Sequence, residues 1–136
     1  MEFFTFISEQ WVLVSILLVL VYVFAFTERI KSGKPLSSHE LTRMLNADEA
    51  VLLDVRESKD FKEGHIVGAI HIPFNKIKEN SAELNNHKNK VIVIADKLGQ
   101  HAGAAGRILK QQGFQVRRLS GGMAEWKNQN LPVVKD

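Results

Sequence analysis

The 136-residue chain contains no cysteine. That absence excludes disulfides, thiolate metal sites and every mechanism that passes through a covalent thiol intermediate. It leaves the redox compartment open, because a cysteine-free chain persists in oxidising and reducing surroundings alike. Runs of basic charge are also missing. The formal net charge of +3 is mild and the lysines and arginines are scattered. The adjacent pair Arg117-Arg118 is too short for a phosphate-backbone footprint, and no RNA-binding motif accompanies it, so nucleic acid is not an expected partner. No segment repeats and none is of low complexity. His39, His65, His71, His87 and His101 include no pair spaced three or four residues apart. A metal site needs about three converging ligands with support behind them, so neither a metal nor another cofactor is expected.

Charge is absent again from Trp11 to Phe26, WVLVSILLVLVYVFAF. A helix over residues 7–27 rises ~1.5 Å per residue and reaches roughly 30 Å, the thickness of bilayer hydrocarbon. Trp11 and Tyr22 suit the membrane interfaces. A soluble core helix would show a polar face, and this segment shows none. A cleaved signal peptide would need a basic start and a small-residue cleavage site. Met1-Glu2-Phe3-Phe4 and Phe24-Ala25-Phe26 supply neither. The segment is therefore read as an uncleaved membrane anchor with the lipid bilayer as its partner, preceded by a short tail, residues 1–6, and followed by a linker, residues 28–35. Glu2 and Glu9 lie on one side and Arg29, Lys31 and Lys34 on the other, so the positive-inside rule places the N-terminus outside and residues 28 onward in the cytoplasm. The helix carries no small-xxx-small pattern and little polarity beyond Ser15, so strong self-association is not encoded there.

From residue 36 the pattern becomes soluble α/β. Ser37 and Glu40 form a capping box before the apolar face Leu41, Met44, Leu45. Ala50 to Val55 reads as a buried strand and Arg56 to Phe61 as a short helical turn. A short strand is expected at Ala69 to Ile72, two short helices around Ile77 and Leu84, a strand at Gln115 to Leu119, and a helix holding Met123 and Trp126. Strands alternating with helices predict a small open parallel sheet flanked by helices, preceded by one transmembrane helix.

The stretch that organises this pattern is Val91-Ile92-Val93-Ile94-Ala95, a β-branched run typical of a strand buried on both faces. It feeds the loop Asp96-Lys97-Leu98-Gly99-Gln100-His101. A helix of small residues, Ala102-Gly103-Ala104-Ala105-Gly106, follows and ends by Gly113. Strand, tight loop and helix N-terminus together aim backbone N–H groups at one point and form an anion cradle. Asp96 enters that loop. It is read either as a built-in anion filling the cradle or as a tolerated exposed residue. A carboxylate nucleophile would need an acid partner and a metal or second carboxylate that the sequence does not offer. Asp54 and Arg56 follow a strand end and are read as an ion pair or as makers of loop-fixing hydrogen bonds. His65 is read as a hydrogen-bonded structural residue, with Asp54 or a backbone carbonyl as its partner.

Four motifs in order, Leu53-Asp54-Val55-Arg56, Phe61 through Gly64-His65-Ile66-Val67-Gly68 to Pro73, the strand, loop and small-residue helix, and Gly113-Phe114 through Ser120-Gly121-Gly122 to Trp126, resemble the rhodanese-like domain family. The anchor is similar to that of the single-domain, membrane-tethered members found in bacteria. The resemblance implies a rhodanese-like domain over residues 36–136, attached to the bacterial inner membrane, with Asp54, Arg56, His65, Gly68, Gly121, Gly122 and Trp126 as structural motif residues. In active members of the family the first loop residue is a cysteine that carries a persulfide. The matching position here is Asp96, with Gly99 at the glycine position and His101 where an arginine is common. The implied domain is thus a non-enzyme, a binding or scaffold module for a membrane or membrane-proximal protein. The alternative is sulfur-compound handling or anion sensing without a persulfide.

Overall fold

In the computed structural model, residues 2–32 and 34–135 are described, with backbone alone for Ile7 and residues 28–32. They form two compact units that divide between Ile30 and Lys31.

The first unit is made by one helix, α1, Glu2–Ser32, whose last two residues lie beyond the division. Over Glu2–Thr27 it is long and apolar enough to cross a membrane. The side chains from Trp11 to Phe26 are exposed. Two of the hydroxyls on this helix bond back to its own carbonyls. Ser15 Oγ donates to the Trp11 carbonyl (2.8 Å) and Thr27 Oγ1 to the Val23 carbonyl (2.7 Å). The helix exceeds residues 7–27 at both ends. It takes in residues 2–6, read above as a tail, and 28–32, read as linker. The physical reason is composition: no glycine or proline occurs between residues 2 and 32, and aromatic residues at 3, 4 and 6 do not stop a helix. Met1, Gly33 and Asp136 lie outside the described residues.

The second unit is a five-stranded, wholly parallel sheet in the order β1-β5-β4-β2-β3. The strands are β1 (Lys34–Leu36), β2 (Ala50–Asp54), β3 (Ile70–His71), β4 (Val91–Ala95) and β5 (Gln115–Leu119). The crossing helices are α2 (Ser38–Asn46), α3 (Ser58–Glu63), α4 (Ile77–Asn80), α5 (Ala102–Gln111) and α6 (Gly122–Asn128), with 3₁₀ turns at Phe74–Lys76 and Ser81–His87. β4 is central, and the strand pleat explains its unbroken apolar run. Ile92 and Ile94 point into one core with Leu53, Ile77, Ala105 and Leu109. Val93 and Ala95 point into the other with Leu41, Met44, Leu119, Met123 and Trp126. Two separate cores, one on each face, let the strand bury both sets of side chains.

β1 is the element that periodicity missed. Lys34 and Pro35 read as linker and Leu36 as the start of the domain, yet all three pair in register with Arg117, Arg118 and Leu119. Proline is compatible with a strand at a sheet edge, and β1 is the edge here. Of the expected capping box, the Ser37 cap forms, and Glu40 meets the Ser37 hydroxyl. Ser37 Oγ accepts from Glu40 N (3.2 Å) and donates to Glu40 Oε1 (3.4 Å).

At the opposite end of α2 from this cap, Asp48 sits at φ 59° and accepts from Lys90 Nζ at 2.7 Å. The Lys90 ammonium, by hydrogen bond and by charge, holds the Asp48 carboxyl below the usual carboxylate range. A depressed folded-state value means that the pair's contribution is present above the unfolded-state pKa and is lost as pH falls through the folded one. Lys90→Ala is expected to raise the Asp48 midpoint toward its ordinary value in a carboxyl-carbon NMR titration. The melting temperature should barely move, because exposed pairs contribute little.

Candidate functional site

β4 ends at Ala95 and delivers Asp96 into the interior, where it is only 3% exposed. Its carboxylate gathers the loop around itself. Oδ1 accepts the Gly99 N–H, and Oδ2 accepts the N–H groups of His101 (2.6 Å) and Ala102 (3.2 Å). His101 and Ala102 open α5. Their amides are the orphan donors every helix N-terminus carries, and they favour a negative charge. Gly99, at φ 96°, adopts a backbone that L side chains rarely take, and its N–H also reaches the carboxylate. Asp96 is therefore a buried anion holding the loop closed, and not an exposed loop residue.

A second helix secures the loop from behind. Met123 N donates to the Asp96 carbonyl (2.7 Å) and Ala124 N to the Lys97 carbonyl (3.0 Å). This approach requires glycine at 122. A Cβ there would lie 2.6 Å from the Asp96 carbonyl oxygen and 3.0 Å from both Asp96 Oδ1 and Gly99 N, at φ +62°. Gly122→Ala is expected to cost about 1–3 kcal/mol through strain and a displaced loop. Thermal unfolding checks the loss, and the Gly99 and His101 amide resonances check the displacement.

The motif residues around the loop form a supporting frame. Arg56 is nearly buried and grips Asp54 through Nε (3.0 and 3.1 Å) and Nη2 (2.8 Å), while Nη2 also donates to the Gly64 carbonyl (2.7 Å). The Asp54 carboxylate is taken by the guanidinium two residues on, and His65 Nδ1–H donates to a backbone carbonyl, that of Phe61 (2.8 Å). The Phe61 ring is sandwiched between those of His65 (3.8 Å) and His71 (4.3 Å). His71 Nε2–H donates to the Arg56 carbonyl (2.8 Å). His65 also exchanges backbone hydrogen bonds with Val134, and Trp126 Nε1–H donates to the Pro132 carbonyl (3.0 Å), so the C-terminal segment is tied to the same frame. Gly68 and Gly121 take left-handed turns at φ 80° and 73°. Among the described residues no group of three or more His, Asp or Glu side chains converges as a metal site.

Over the loop lies a cleft of about 310 Å³. Asp96, Lys97, Leu98, Gln100 and His101 line one side, and Val55, Arg56, Glu57, Asp60, Pro73, Phe74 and Asn75 the other. The His101 ring stacks on Phe74 at 4.8 Å and 12°. Glu57, Asp60 and Phe74 were not among the residues that the sequence pointed to. The available signal was position: Glu57 and Asp60 follow the C-terminal end of β2, beside the C-terminal end of β4, where sites of α/β folds gather.

The sequence profile of the rhodanese-like domain matches residues 37–129. The chain belongs to the rhodanese-like domain family. Among its relatives, the uncharacterised protein YibN of Escherichia coli K12 is 36% identical over 131 residues, covering 95% of this chain and 90% of that protein. YtwF of Bacillus subtilis, provisionally described as a sulfurtransferase, is 32% identical over 100 residues, covering 73% of this chain and 95% of that one. The crystal structure of a rhodanese-related protein from Thermoplasma volcanium superposes with a TM-score of 0.69 at 25% identity, covering 76% of this chain and 99% of that one. The rhodanese-like domain here thus has sulfurtransferase-related relatives, carries an apolar N-terminal helix and lacks any cysteine able to form a persulfide.

Proposed function

We propose that this chain is a membrane-anchored, catalytically inactive rhodanese-like module that holds a binding surface at the cytoplasmic face of the bacterial inner membrane. The observation that carries the reading is the Asp96 carboxylate, which takes the Gly99, His101 and Ala102 amides for itself. A carboxylate cannot carry a sulfane sulfur, and it occupies three of the amides that an incoming sulfur anion would need. The apolar helix supplies an anchor, and the flanking charges orient it with the N-terminus outside. Tethering raises the effective concentration of a weak interface, which is what a non-catalytic module needs. The partner in this reading is a membrane or membrane-proximal protein that meets the loop surface.

The resemblance to a provisional sulfurtransferase favours a second reading, sulfur handling without a persulfide. One assay separates the two. Full-length protein in detergent micelles is expected to show no thiosulfate:cyanide sulfur transfer above a cysteine-free control protein. Clear turnover would end the inactive-module reading. Photo-crosslinking from position 98 in intact membranes tests the binding role directly, and failure to capture any protein there would count against it.

A further inference from the structure

We infer that the cleft above Asp96 is a docking site for a lysine- or arginine-bearing loop of an integral membrane protein. The inference rests on the binding-module reading and specifies its partner. The floor of the cleft is a carboxylate whose oxygens already accept the amides that face them. An anionic ligand entering there meets a like charge, with the Gly99, His101 and Ala102 amides already engaged. The nearest guanidinium offers no help, since Arg56 is engaged by Asp54 and the Gly64 carbonyl. With that pair neutral, the remaining lining charges are Glu57, Asp60 and Asp96 against Lys97, with the His101 ring laid on Phe74. The balance is negative at the site where the fold's cradle would otherwise attract anions.

The rest of the lining is the apolar group Val55, Pro73, Phe74 and Leu98 with the side-chain amides of Asn75 and Gln100. Pro73 and Phe74 form a wall, and Leu98, 56% exposed at the loop tip, forms a lip. Such a cleft matches a side chain with a long aliphatic stem and a cationic end: the stem lies on Phe74 and Leu98, and the charge reaches Glu57 and Asp60. At about 310 Å³ the cleft lies at the small end of ligand sites, enough for one or two such side chains and their backbone. The cytoplasmic face of a membrane presents this chemistry in quantity, because short cytoplasmic loops of membrane proteins are enriched in Lys and Arg.

The test uses the full chain in nanodiscs of zwitterionic phosphatidylcholine, so that lipid of net negative charge does not compete. The probes are acetyl-Gly-Lys-Leu-Arg-Gly-amide, the same peptide with both basic residues replaced by Glu, and spermidine. Binding is followed through the Leu98 methyl resonances. The basic peptide is expected to shift them saturably, and Glu57→Gln with Asp60→Asn is expected to weaken it by about fivefold or more. The acidic peptide is expected to leave them unmoved. Equal binding of the acidic peptide, undiminished binding to the double variant, or no binding of the basic peptide each overturns the inference. Spermidine binding as tightly as the peptide also overturns it, in favour of a small amine. A protein captured by crosslinking from position 98 whose capture is indifferent to the double variant leaves the module reading standing and removes only this one.

Discussion

Asp96→Ala is expected to destabilise the rhodanese-like domain by about 3 kcal/mol, lowering its melting temperature by roughly 12 °C or more. Three amides, those of Gly99, His101 and Ala102, converge on the carboxylate. A buried donor left without an acceptor costs about 1–3 kcal/mol, and bonds to a charged acceptor are the stronger kind. Part of the loss is recovered, because the variant no longer holds a carboxylate away from water. Water entering through the cleft reaches some of the freed amides as well, so the net falls below the simple total of the lost bonds. Asp96→Asn separates charge from shape. It keeps one acceptor oxygen but turns an NH₂ toward a backbone N–H, and it is expected to fall between wild type and alanine. A melting temperature unchanged in Asp96→Ala would mean that the carboxylate does not brace the loop, and the reading of a self-filled cradle would fail.

How far the sequence reveals this arrangement depends on whether the cause is local. The β-branched run Val91–Ala95 announces a central strand because its side chains must be buried on both faces, and the structure places it between β2 and β5. The capping box at Ser37 and Glu40 is likewise legible, since both partners lie within one turn. The anion cradle follows from strand, tight loop and helix start, all contiguous. What was hidden depends on distant partners. β1 is a strand because β5 is available to pair with it, over eighty residues away, and nothing within Lys34-Pro35-Leu36 says so. Gly122 reads as half of a glycine pair, and only the fold brings it against the Asp96 carbonyl. Between Asp54 and a backbone carbonyl as partner for His65 the sequence could not choose; the fold directs Arg56 back onto Asp54 and sets His65 Nδ1 against the Phe61 carbonyl. The stacking of His65, Phe61 and His71 has no periodic signature, because it joins α3 to β3 through a turn.

Asp96→Cys puts the electrostatics of the loop on a measurable scale. The amides that hold the carboxylate are aimed at the Cβ substituent of residue 96, so an ionised thiol there should be stabilised as the carboxylate is. Cysteines at helix N-termini ionise with pKa values down to about 3.5–7.5, against about 8.5 for free cysteine. If the thiol ionises near 6.5, its thiolate fraction at pH 6 exceeds that of free cysteine by roughly seventyfold, and the weaker nucleophilicity of a less basic sulfur reduces the gain to about tenfold. Iodoacetamide alkylation at pH 6 is therefore expected to run about tenfold faster than for free cysteine, with a pH–rate midpoint clearly below 8.5. A midpoint at or above that of free cysteine would show that the amides do not favour charge at this position. The same variant reads the walls of the cleft. Glu57 and Asp60 line the cleft, so the anionic reagent iodoacetate should lag behind neutral iodoacetamide by more than it does with free cysteine, and Glu57→Gln with Asp60→Asn should narrow that difference. A thiol that is reactive toward neutral electrophiles yet shielded from anions would separate two properties of one site: backbone amides that still favour a negative charge, and surrounding side chains that turn further negative charge away.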